Sequence, residues 1–127
     1  MANEITVVAS LTYVNAAIGV ASASLGINSP GKFTISGSKF VENIFSVPTT
    51  AGGTALPIGS VGTLGWALLK NLDTVNFVSI LNAVSGTKLL RLNPGEVALF
   101  RFDQSVTAPA AIADTAAVLL QYMMLAN

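Results

Sequence analysis

From residue 66 to residue 102 the chain runs in short apolar segments, each closed by turn residues, and that cadence admits few folds. Residues 66–69 lead into a turn around Asp73, and residues 77–81 end at Ser85-Gly86. Residues 88–92 end at Asn93-Pro94-Gly95, where proline sets φ and glycine accepts a positive φ. Residues 96–102 follow, with Ala98, Phe100 and Phe102 on one face and Val97, Leu99 and Arg101 on the other. Segments this short, with period-two patterning and regular turns, predict strands of an all-β domain.

The rest of the chain extends that reading. Ile5, Val7, Ala9, Leu11 and Tyr13 alternate with Thr6, Val8, Ser10, Thr12 and Val14, which predicts one long strand. Residues 16–27 are small and weakly patterned, and an irregular extended segment is expected there. After the turn at Ser29-Pro30-Gly31, residues 32–35 and 40–47 look like a pair of strands around Gly37. Residues 48–65 hold two prolines and five glycines and form the long loop, with a short strand at 55–58. Residues 114–125 favour helix by propensity, but Val118, Leu120, Tyr122 and Met124 fit one strand face. The segment is too apolar for an exposed amphipathic helix, so a strand covered on both sides is expected. The expectation is a single β-sandwich or jelly-roll-like domain spanning 1–127, with about eight or nine short strands. It has an N-terminal strand or arm at 1–15 and a Gly/Pro loop at 48–65.

Composition decides which functions such a domain can have. The 127 residues contain no cysteine and no histidine, which removes disulfides, thiolate metal sites and the commonest general base. Six basic and six acidic residues cancel, leaving no basic footprint for nucleic acid or an anionic membrane. No apolar stretch is long enough to span a bilayer as a helix, and Glu4 stands where a secretory signal would carry basic residues. Charged residues make up only 9% of the chain, against about 25% in ordinary soluble domains. A folded monomer of this size would expose roughly 6,000 Å², or roughly 500 Å² for each charge. Such a surface calls for permanent neighbours.

Catalytic and metal chemistry finds little support in the pattern. Gly26 to Lys32 has the spacing of a phosphate-binding loop, but Phe33 replaces the Ser or Thr that would bind Mg²⁺, and a strand pattern follows instead of a helix. The six acids, Glu4, Glu42, Asp73, Glu96, Asp103 and Asp114, are scattered near strand ends and turns. Asp73 with Asn71 and Asn76 is the nearest approach to a calcium loop, and an Asx-type turn is the better reading. Ser38 with Lys39 and Ser85 with Lys88 are the only Ser/Lys pairs worth weighing, and both lie in turn-like sequence. Trp66, Phe77, Phe100, Phe102 and Tyr122 are read as core aromatics, whereas Phe33, Phe40 and Phe45 are candidates for an intersubunit contact. No enzyme activity and no cofactor are expected.

Several stretches resemble small virion proteins of tailed bacteriophages. They are Gly65-Trp66-Ala67-Leu68-Leu69-Lys70-Asn71-Leu72-Asp73, Asn76-Phe77-Val78-Ser79-Ile80, the run from Leu90 to Arg101 through Asn93-Pro94-Gly95, and the closing run from Ala113 to Tyr122. Their order is also the family's order. The resemblance covers roughly the C-terminal half and implies a phage structural protein: capsid cement or decoration, with a tail, baseplate or head-fibre subunit as the alternative. A carbohydrate-binding sandwich is the further reading. The expected partners are other copies of the chain, as a homotrimer, and the phage major capsid protein, on the exterior of a virion assembled in the bacterial cytoplasm. The contact residues expected are Ile5, Val7, Ala9, Leu11 and Tyr13 of the N-terminal segment. In the loop they are Pro48, Leu56, Pro57, Ile58, Val61 and Leu64.

Overall fold

The computed structural model describes residues 39–127 in full and, before them, the backbone of four strands. These are β1 (Asn3–Val7), β2 (Ser10–Asn15), β3 (Val20–Gly26) and β4 (Gly31–Ile35). Where a single domain was expected, the chain divides into two compact units, Met1–Ile35 and Ser36–Asn127.

In the first unit β1 pairs antiparallel with β4, from Asn3 opposite Ile35 to Val7 opposite Gly31. The strand β2 pairs antiparallel with β3, from Ser10 opposite Gly26 to Asn15 opposite Val20, with a register shift between Tyr13 and Asn15. The single strand expected across residues 5–14 is therefore two strands. The segment expected to be irregular contains β3, whose pairing with β2 supplies the order that its small side chains do not advertise. The strands expected at residues 32–35 and 40–47 both form, each with a partner elsewhere in the chain. The strand β4 pairs with β1, and residues 40–47 pair with the C-terminal strand.

The second unit is an all-β sandwich of eight strands in two antiparallel four-stranded sheets. Its strands are β5 (Phe40–Val47), β6 (Thr54–Ala55), β7 (Leu64–Asn71), β8 (Val78–Leu81), β9 (Lys88–Leu92), β10 (Val97–Arg101), β11 (Ala110–Ala113) and β12 (Val118–Ala126). One sheet has the order β10-β7-β12-β5 and the other β6-β11-β8-β9. The pairing is nested: β5 with β12, β6 with β11, β7 with β10 and β8 with β9. Further pairings of β12 with β7 and of β11 with β8 complete the two sheets.

Period-two alternation explains how the sandwich closes. Along β12, Val118, Leu120, Tyr122, Met124 and Ala126 are buried while Leu119 and Met123 are exposed. On β10, Ala98 and Phe100 turn inward, as the sequence predicts, and Phe100 meets Phe102 edge-on with ring centroids 4.8 Å apart. Fully burying one Val, Leu or Ile side chain contributes about 1.5–3 kcal/mol, so the facing rows of β12, β7, β8 and β5 form the principal apolar store of the unit.

Turn chemistry places the strand ends. Asn93-Pro94-Gly95 turns between β9 and β10, with the Glu96 N–H donating to the Asn93 carbonyl at 3.0 Å and Gly95 at φ 76°. The Asp73 turn between β7 and β8 is an Asx turn, as expected. Its Oδ1 accepts the Val75 and Asn76 N–H groups at 2.7 and 2.6 Å.

Candidate interaction surface

Most of the polar side chains with defined partners work within the fold. Asn71 is fully buried at the end of β7. Its Nδ2 donates to the Asn76 carbonyl at 2.9 Å and to the Leu92 carbonyl at 3.1 Å, and its Oδ1 accepts the Asp73 N–H at 2.9 Å. The Tyr122 hydroxyl donates to the Pro57 carbonyl at 2.7 Å and accepts from Asn43 Nδ2 at 3.2 Å. Burial pushes the Tyr122 pKa up, against a smaller opposing effect of the Asn43 amide.

Asp73, Glu96 and Asp103 are turn residues. The Asn76 N–H, followed by that of Val75, holds the Asp73 carboxyl below the usual range. The backbone N–H and then the side-chain amide of Asn93 do the same for Glu96, and the Ser105 side chain and then its N–H for Asp103. Among the described residues no three acidic side chains come together in a way that could hold a metal ion.

The loop residues singled out in the sequence do not share one fate. Leu56, Val61 and Leu64 are buried at 4%, 6% and 0% exposure and belong to the core. Ile58 packs partly against that core, Pro48 is half-buried, and Pro57 is exposed. Leu56, Val61 and Leu64 therefore fill the sandwich from within and do not offer a surface to a neighbour. The reason is local: the Leu56 N–H donates to the Pro109 carbonyl at 2.9 Å, the Val61 N–H to the Ile58 carbonyl at 3.3 Å, and Leu64 begins β7. Ile5 and Val7 lie on β1 and Leu11 and Tyr13 on β2; their side chains, and Ala9 altogether, lie outside the described residues.

Sequence reasoning named only Phe40 from a broad exposed apolar face among the described residues. It is the outer face of the β10-β7-β12-β5 sheet. Phe40 and Ile44 on β5, Leu68 on β7, Val97 and Leu99 on β10, and Leu119 and Met123 on β12 are exposed there, from 36% for Met123 to 64% for Phe40. The register aligns them. Leu99, Leu68, Met123 and Glu42 form one row straight across the four strands, and Val97, Lys70, Gln121 and Ile44 form the next. The opposite sheet differs, since Ser79, Leu81 and Ala110 on its outer side are buried. The signal was present in the sequence: β12 and β7 are apolar on both alternating faces, and only one face of each can enter a sandwich core.

Comparison with known proteins adds no relative: no family model, no curated protein and no solved structure matches this chain.

Proposed function

We propose that the chain is a non-enzymatic structural protein of a tailed-phage particle, a cement or decoration protein that stabilises the capsid by bridging major capsid protein subunits. The observation that carries this reading is the exposed apolar face of the β10-β7-β12-β5 sheet on a chain with so few charges. Exposed apolar patches of this extent mark protein–protein contact sites. The nested strand pairing supports reading the sandwich as a jelly roll, a double-sheet form that viral capsid and lectin domains use.

The mechanism needs no chemistry. A small β domain laid across junctions of a shell removes apolar surface from water at each contact, at ~25 cal/mol per Å² before association costs. In this reading the protein acts as a homotrimer on the capsid exterior, having assembled in the host cytoplasm.

The test is light scattering of the purified protein, alone and with empty capsids of the phage that encodes it. A multimer that co-migrates with shells supports cement. A monomer that leaves shells unchanged overturns it, and negative-stain labelling confined to the tail moves the protein to the alternative site.

A further inference from the structure

The exposed sheet face has a charge pattern that is complementary to itself. Lys70 stands on β7 in the row of Val97, Gln121 and Ile44, and Glu42 stands on β5 in the row of Leu99, Leu68 and Met123. Both side chains are exposed, and neither takes part in an ion pair among the described residues. Strands ~4.8 Å apart and same-face residues ~7 Å apart along a strand put the two positions ~12 Å from each other, too far to pair within one chain. Between them runs a groove over Leu68, Gln121 and Met123.

We infer that this face is the contact between two copies of the chain, related by a twofold axis that crosses β12 between Gln121 and Met123. Laying a face on its own copy about an axis that lies in the plane of the face and perpendicularly bisects the line between two positions exchanges those positions. One operation therefore sets Lys70 against the second copy's Glu42 and Glu42 against the second copy's Lys70, the reciprocal arrangement an isologous contact requires. On the same pleated grid Leu68 meets the second copy's Met123, whose side chain enters the groove, and Val97 meets the second copy's Phe40. Arg101, the third charge on the face, lies at its corner, where its guanidinium donates to Asn127.

The area is sufficient. Four strands about seven residues long span roughly 20 by 23 Å, which with side-chain relief exposes on the order of 600 Å² per copy, the lower bound for specific interfaces. The inference deepens the reading of a self-associating structural protein by naming one partner and its orientation. It assigns this face to the second copy, so the trimer and capsid contacts of the cement reading lie on other surfaces of the chain.

The test uses charge exchange at exposed positions, where the fold is not at stake. Glu42→Lys and Lys70→Glu are made separately and together in the full chain, and self-association is followed by sedimentation at several concentrations. Each single variant sets like charges against each other twice and is expected to weaken the dimer about tenfold or more. Mixing the two single variants restores both pairs and is expected to recover dimers, as is the double variant. Met123→Glu, in the groove, is expected to abolish the dimer across this face with far-ultraviolet circular dichroism unchanged. Single variants that associate like the parent, or a mixture that does not recover, overturn the inference. Parent protein that dimerises through this face yet leaves shells unbound would instead count against the cement reading alone.

Discussion

Asn71 at the end of β7 donates its side-chain amide to the Leu92 carbonyl at the end of β9, 3.1 Å away, and so ties one sheet of the sandwich to the other. The same side chain holds the Asp73 turn through the Asn76 carbonyl and the Asp73 N–H, while its backbone N–H donates to the Glu96 carbonyl and its carbonyl accepts from Gly95. Every polar atom of this buried residue is partnered, and its removal leaves buried carbonyls bare. Asn71→Ala is expected to destabilise the second unit by about 2–4 kcal/mol, read from urea unfolding midpoints. A loss under about 0.5 kcal/mol would mean that water replaces the amide without penalty.

Stability should fall at both ends of the pH scale, for opposite reasons. Asp73, Glu96 and Asp103 have folded pKa values below their ordinary 3.8, 4.5 and 3.8. Their contribution is complete above those values and is lost as pH drops through the lower folded ones. Tyr122 has a folded pKa above 10.0, so its contribution is complete below that pH and is lost as pH rises through the folded value. Thermal midpoints should therefore decline on acidification below about pH 4.5 and again above about pH 10. Asp73→Asn should flatten the acid limb and Tyr122→Phe the alkaline one, measured against the parent in matched buffers. Limbs unchanged by these substitutions would assign the pH dependence to other groups.

The long Gly/Pro loop should behave as core. Leu56→Ala and Leu64→Ala each empty a buried site and are expected to cost about 2–5 kcal/mol. Pro57→Ala, at an exposed side chain whose carbonyl remains to accept the Tyr122 hydroxyl, is expected to cost at most about 1 kcal/mol. Equal, small effects at all three positions in denaturant unfolding would mean that the loop does not anchor the sandwich.

Local chemistry made the C-terminal half legible. Residues 88–92 are a strand with the bounds expected, because a charged residue opens the run and Asn-Pro-Gly closes it. The inward placement of Ala98 and Phe100 follows from alternation alone. What stayed hidden depends on partners distant in sequence. The strand β11 reads Ala-Ala-Ile-Ala, poor in β propensity, and is held by backbone pairing with β6 on one side and β8 on the other. The two buried leucines of the long loop and Val61 looked like contacts because glycine and proline around them suggested a surface excursion. Their burial requires the sandwich ends to be in place first. Residues 114–125 were expected to form a strand covered on both sides, and the strand that forms is β12, Val118–Ala126. The structure covers one face and leaves Leu119 and Met123 exposed on the other.

The nested pairing also governs how the second unit responds to force. Ala126 donates its N–H to the Lys39 carbonyl at 2.8 Å, so the two ends of the unit lie side by side on adjacent strands. Tension applied between them would peel β5 from β12 one rung after another, like a zipper, without loading all the rungs in parallel. Such a ladder yields at low force when opened from its ends. When a load is spread across the broad faces of the sheets it resists, as a brick resists compression.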